Sequence, residues 1–251
     1  MNIRLFIITA LLCLATSGKA EGFYSLSIGG VNVLDTYLSP EKYSGVEYRL
    51  NAESIRDSKK RALTYLMTNE IAFAHTKNRA GNATTLTGHY NFTYGVLYRW
   101  HCLDNKLTLR AGGMTEANIG FTYNQRNTSN NPAQGYASVS IGPEVTAHYR
   151  FTLWNKNMRV GYTMRMPWLG AMFSPNYGQS YYEIFNRGNY DHNVVFTSLQ
   201  TFQMRQQLTL DVPVSKKVEI RVGYVSDIRQ ATPNNLKQHQ WYNGGMIGIR
   251  W

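Results

Sequence analysis

LTGHYNFTYGVLYRW, residues 86–100, carries the fold in its alternation. Leu86, Gly88, Tyr90, Phe92, Tyr94, Val96, Tyr98 and Trp100 fall on one side of an extended chain. Thr87, His89, Asn91, Thr93, Gly95 and Arg99 fall on the other, with Leu97 as the one exception. Successive side chains of a strand point to opposite faces, so this pattern makes one apolar and one polar surface. Strands of ordinary sheets run about 5 to 6 residues. The alternation here is far longer, and length is what separates a membrane-crossing strand from a strand of a soluble sandwich.

Working outward, the design recurs. In residues 107–123 the apolar or small face is Leu107, Leu109, Ala111, Gly113, Ala117, Ile119, Phe121 and Tyr123, while Arg110, Met114, Glu116 and Asn118 point the other way. In residues 137–153 Val139, Ile141, Val145, Ala147, Tyr149 and Phe151 oppose Ser138, Ser140, Glu144, His148 and Arg150. Shorter stretches follow the same rule around Val46–Glu53, Met158–Arg165 and Val218–Tyr224. Residues 194–210 are noisier, and 23–33 and 62–73 are strands by elimination. The expectation is an all-β chain closing as an antiparallel, up-and-down transmembrane β-barrel of about ten strands, with eight and twelve as the alternatives.

The connectors alternate in length. Long or moderate ones are expected near residues 34–44, 76–82, 124–134, 168–193 and 231–237, and short ones near 56–61, 102–105, Asn155-Lys156 and 213–216. Outer-membrane barrels have short periplasmic turns and long external loops. A two-sheet sandwich has no reason to segregate its loops in this way. The chain ends at Trp251 with Ile247 and Ile249 on the same strand face, which resembles the terminal aromatic signal of outer-membrane barrels. On this topology Trp100, Phe151 and Trp251 share one interfacial girdle.

Residues 1–20 read as an export signal: Arg4 is basic, Leu5–Ala15 is apolar, and Gly18-Lys19-Ala20 fits small-x-small cleavage. The apolar run is about half of what a spanning helix needs. The remaining 21–251 suits one domain. Loss of Arg4 and Lys19, with no acids, takes the formal charge from +11 to +9. Such a surplus fits solvated or barrel-lining side chains, or attraction to anionic lipid or glycan. Nucleic acid is a poor partner for an exported chain. Cys102 stands alone in the mature part, so no internal disulfide is expected.

If the apolar faces meet lipid, the polar faces fill the lumen, because backbone in hydrocarbon must pair internally and only a closed sheet can span. The inward set mixes signs: Glu47, Arg49, Glu53, Arg99, Arg110, Glu116, Glu144, Arg150, Arg159, Arg165, Glu219 and Arg221. Open aqueous channels belong to barrels of about sixteen strands or more. Ten strands should therefore be nearly closed, with Arg110, Glu116, Glu144, His148 and Arg165 in a structural ladder of ion pairs. A two-residue turn at Asn155-Lys156 would place Glu144 diagonal to Arg165, within reach of an ion pair.

Catalytic signals are weak. Ser140, Glu144 and His148 share a strand face, but residues four apart on a strand lie about 13 Å apart, and a triad needs contacts near 3 Å. The six His are scattered, no HxxxH or CxxC spacing occurs, and the Gly pairs precede no helix, so neither a metal nor a nucleotide cofactor is expected. The segment 168–193 is rich in aromatics. Trp168, Tyr177, Tyr181 and Tyr182 are the candidates for a lid over the barrel mouth, or for contact with a glycan or an envelope protein.

The export signal, the Asp35-Thr36-Tyr37-Leu38-Ser39-Pro40 and Tyr43-Ser44-Gly45 run, and the Tyr-rich alternation ending in Ile249-Arg250-Trp251 resemble uncharacterised small outer-membrane β-barrel proteins of Bacteroides-type bacteria. The resemblance implies location and architecture only. Three roles follow as expectations: a non-enzymatic envelope barrel, set in outer-membrane lipid, that acts through its external loops or as a subunit of an envelope assembly; an outer-membrane lipid or lipopolysaccharide hydrolase; and a narrow pore.

Overall fold

The computed structural model describes residues 21–125, 131–198, 201–215 and 218–250. The expected export signal, Trp251 and part of the 124–134 connector lie outside them. Ten antiparallel strands close on themselves: β1 (Glu21–Asp35), β2 (Ser39–Asp57), β3 (Leu63–Asn78), β4 (Thr84–Cys102), β5 (Leu107–Asn124), β6 (Ala133–Leu153), β7 (Lys156–Arg165), β10 (Gln203–Pro213), β11 (Glu219–Ala231) and β12 (Gln238–Arg250). Each pairs with its neighbours in this order, and β12 closes the barrel on β1 from Phe23↔Arg250 to Asp35↔Gln238. The weakest strands of the sequence reading, at 23–33 and 62–73, are full staves.

Alternation governs burial. Thr93 is 2% exposed and its neighbour Tyr94 42%, and the same contrast runs along β4 through Tyr90, Val96, Tyr98 and Trp100 outward and Thr87, His89 and Asn91 inward. The apolar face is therefore on the outside and the polar face inside, the inverse of a soluble barrel. Leu97, the exception in the pattern, points inward and is fully buried in an apolar plug with Phe23, Ile55 and Leu66.

At one end, here the lower, the strands are joined by residues 58–62, 103–106, 154–155 and 214–218. At the upper end the connectors are 36–38, 79–83, 125–132, the excursion 166–202 and 232–237. The long connector expected near 34–44 is instead a three-residue turn. Polar Asn32, Glu41, Lys42 and Ser44 belong to the hairpin that β1 and β2 form up to this turn, and Asn32 donates to the Ser44 hydroxyl across it. The turn expected at Asn155-Lys156 is Trp154-Asn155, with positive φ at both residues, as a two-residue hairpin turn requires. This sets Leu153 opposite Lys156 and Glu144 directly opposite Arg165. A slip of two residues keeps every side chain on its face, so alternation cannot detect it.

β7 stops at Arg165 because Pro167 has no N–H for the ladder. The chain stays on β6 through Met166 and Trp168, whose N–H groups donate to Pro143 and Ile141 carbonyls. It resumes there as β8 (Leu169–Phe173), which pairs with the upper part of β6 and with β9 (Val194–Thr197). Between β8 and β9 lies the single-turn helix α1 (Tyr181–Phe185).

Candidate functional site

The inward faces of distant strands meet in a layered ion-pair network. In the middle layer Arg49, fully buried, binds Glu47 through Nε (2.5 Å) and Glu70 (3.3 Å) and Asp227 (2.6 Å) through Nη1. Its guanidinium lies 3.9 Å from the centre of the Tyr242 ring. Arg205 forks onto Glu70, and Arg229 lies 3.1 Å from Asp227. In the lower layer Asp211 is shared by Arg159 and Arg221, each at 2.6 Å. Arg221 also reaches Glu53 (3.4 Å) and stacks on Phe23 at 3.5 Å, and Arg250 pairs with Glu219 at 2.8 Å.

Of the ladder residues expected from sequence, Glu144 accepts from Arg165 Nε at 2.7 Å, and Arg165 also donates to Thr68. Gly95 leaves room beside the pair, since a Cβ there would lie 2.5 Å from Glu144 Oε2 and would push the carboxylate aside. Arg110 meets His148 Nδ1 at 2.7 Å and lies 3.6 Å from Asp57, which Arg99 also binds. Glu116 points inward, yet no member of this network reaches it: among the described residues no cation lies within ion-pair distance of its carboxylate. Arg150, expected inside, is exposed near the lower rim opposite Arg159, where the strand leaves the packed lumen. Sequence reasoning missed Glu70, Arg205, Asp211 and Asp227. Each sits in an inward position of a strand, and regular alternation through residues 62–73 and 203–231 would have been the signal.

Ser140, Glu144 and His148 are not brought together as a catalytic group, since Glu144 is held by Arg165 and His148 by Arg110. Above the middle layer is a cavity of about 100 Å³, lined by Glu116, Asn118, Thr87, His89, Ser138, Tyr136 and Arg229 among others.

Residues 166–198 of the excursion cap this end. The Tyr37 hydroxyl donates to the Gln179 carbonyl (2.8 Å), the Gly135 N–H donates to the Tyr181 hydroxyl (2.6 Å), and Asn234 donates to the His192 carbonyl (2.9 Å). A capping box between Ser180 and Glu183 starts α1, and its hydrogen bonds hold the Glu183 carboxyl below its ordinary range. Ile184 is fully buried beneath the helix. Tyr181 is turned into the cap against Tyr37, Phe173 and Phe185, whereas Trp168 (43%), Tyr177 (85%) and Tyr182 (58%) are exposed.

Asp35, at the tip of the β1–β2 hairpin above the apolar belt, accepts from the Tyr136 hydroxyl and the Tyr37 N–H. Burial pushes its carboxyl from 3.8 up to about 6, against the opposing pull of these hydrogen bonds. The folded state therefore favours the neutral form. That stabilisation is complete below pH 3.8 and is lost as pH rises through about 6. The difference corresponds to about 3 kcal/mol. Proteolysis near Gly188 in the cap is expected to be slower at pH 5 than at pH 8 in wild type and pH-independent, after correction for the protease, in Asp35→Asn. An unchanged pH dependence in the variant would assign it to another group.

No curated protein matches the sequence. Among solved structures, the outer membrane protease OmpT from Escherichia coli superposes with a TM-score of 0.52 at 8% identity, covering 94% of this chain and 99% of that one. The transport unit of the autotransporter AIDA-I from Escherichia coli gives 0.47 at 8% identity, over 94% and 92% of the two chains. The translocator domain of the autotransporter NalP from Neisseria meningitidis gives 0.42 at 9% identity, over 99% and 93%. The likeness to OmpT is one of fold, a closed outer-membrane-type β-barrel. Residues 19–250 match one family throughout, and the chain belongs to it: the family described as "Protein of unknown function (DUF3316)".

Proposed function

We propose that the protein is a sealed, non-enzymatic barrel of the outer membrane of a Gram-negative envelope, exported by residues 1–20. In this reading it acts through its upper, external cap or as a subunit of an envelope assembly. The observation that carries this reading is the arginine–carboxylate network across the lumen, in which Arg49 joins carboxylates from β2, β3 and β11. Arg110, Glu144, His148 and Arg165 act in it as structural members, and in this reading the network blocks the passage of ions. The separate engagement of Glu144 and His148 weighs against the hydrolase reading. Exposed Trp168, Tyr177 and Tyr182 offer aromatic surface to a glycan or an envelope protein.

Reconstituted in a planar bilayer, the protein is expected to give no stable conductance steps; regular steps at neutral pH would replace the sealed barrel with a pore. The outer face is tested separately. Tyr94→Arg is expected to lose about 2 to 4 kcal/mol of stability in lipid, as a charge near the bilayer midplane does, while Tyr94→Leu stays near wild type. Equal stability of the two variants, read from urea unfolding in vesicles, would mean that this face does not meet hydrocarbon.

A further inference from the structure

Charge balances around the cavity with one exception. Arg49, Arg205 and Arg229 are matched by Glu47, Glu70 and Asp227, and Arg165 by Glu144. Glu116, 8% exposed, has no cation in ion-pair contact and feels Arg229 of the same cavity wall only at longer range. A buried carboxylate without a cation is costly, and the cost falls when a cation is supplied. The same cavity wall holds two further polar atoms without a hydrogen-bond partner, Asn118 Nδ2 and Thr87 Oγ1, beside His89, whose Nε2 is turned to Glu70 at 3.8 Å. Buried polar atoms are rarely left unpaired, so these two atoms and the Glu116 carboxylate facing one space describe a site suited to a small polar cation.

We infer that this cavity binds a small primary ammonium with a hydrogen-bond-accepting oxygen close by, the pattern of ethanolamine. The ammonium charge answers Glu116, its N–H groups suit hydroxyl acceptors such as Thr87 and Ser138, and the oxygen accepts from Asn118 Nδ2. About 100 Å³ is room for about three waters or a ligand of comparable bulk. Metal coordination is a poorer match, because no group of three His, Cys, Asp or Glu side chains suited to an ion occurs among the described residues. The amine could come free in solution or as a lipid headgroup. The cavity lies beside β8 and the start of β10, and among the described residues β9 pairs only with β8.

The test is titration calorimetry of the full barrel in detergent with ethanolamine hydrochloride, and with choline chloride as a control that lacks ammonium N–H groups. Binding of ethanolamine but not choline is expected. It should weaken roughly tenfold or more in Glu116→Gln, as loss of a charge-assisted hydrogen bond implies, and be abolished by the cavity-filling Ser138→Phe. Heat-modifiable gel mobility confirms that each variant is folded. Competition by phosphatidylethanolamine mixed micelles, but not phosphatidylglycerol ones, would identify a lipid headgroup as the source; no competition by either would identify the free amine. Absence of ethanolamine and phosphatidylethanolamine binding in wild type overturns the proposal, as does binding unaltered in both variants.

Discussion

Arg49→Met is expected to destabilise the barrel by about 3 to 5 kcal/mol, because it leaves buried carboxylates without the cation they share. Arg49 is fully buried and touches Glu47, Glu70 and Asp227 at once. After the substitution Glu70 keeps Arg205 and Asp227 keeps Arg229, but among the described residues Glu47 keeps only the amide of Gln240. Most of the loss should therefore be traceable to Glu47, and adding Glu47→Gln to Arg49→Met should recover part of it. Arg49→Lys should not restore wild-type stability, since a single ammonium cannot fork across three carboxylates and stack on Tyr242 as the planar guanidinium does. The measurement is urea unfolding followed by gel mobility of the folded and unfolded forms. A loss below about 1 kcal/mol, the scale of an exposed pair, would show that the layer is hydrated and loosely coupled.

The Glu144–Arg165 pair gives a second large effect with fewer partners to confuse it. Glu144 is fully buried and its Oε2 has no hydrogen-bond partner, so Arg165 Nε is the cation contact that keeps its charge tolerable. Arg165→Met should cost about 3 to 5 kcal/mol. Glu144→Gln should cost less than that, because Arg165 retains the Thr68 hydroxyl. The double variant should be more stable than Arg165→Met alone, since it removes the stranded charge. A double-mutant cycle reads the coupling directly. Strict additivity would mean that the two side chains, although opposite each other across β6 and β7, do not interact in the folded barrel.

The alternation in residues 86–100, 107–123 and 137–153 determined by itself that the chain is β-structured, which face most of these residues occupy, and that charged side chains line the interior. These properties depend on a period of two along one strand, and nothing outside the strand can change it. Leu97 broke that pattern, and only the packed lumen explains it, through the plug formed with Phe23, Ile55 and Leu66 from three other strands. Register was hidden for a related reason: a shift of two residues preserves both faces, so the β6–β7 turn was misplaced by one residue while Glu144 still found Arg165. The partners of Arg49 were beyond sequence reading because Asp227 lies 178 residues away and meets it only when β12 closes on β1. The cap and the unbalanced Glu116 likewise belong to the tertiary structure. Whether a buried charge is matched depends on which strands closure brings face to face across the lumen, and local periodicity carries no information about that.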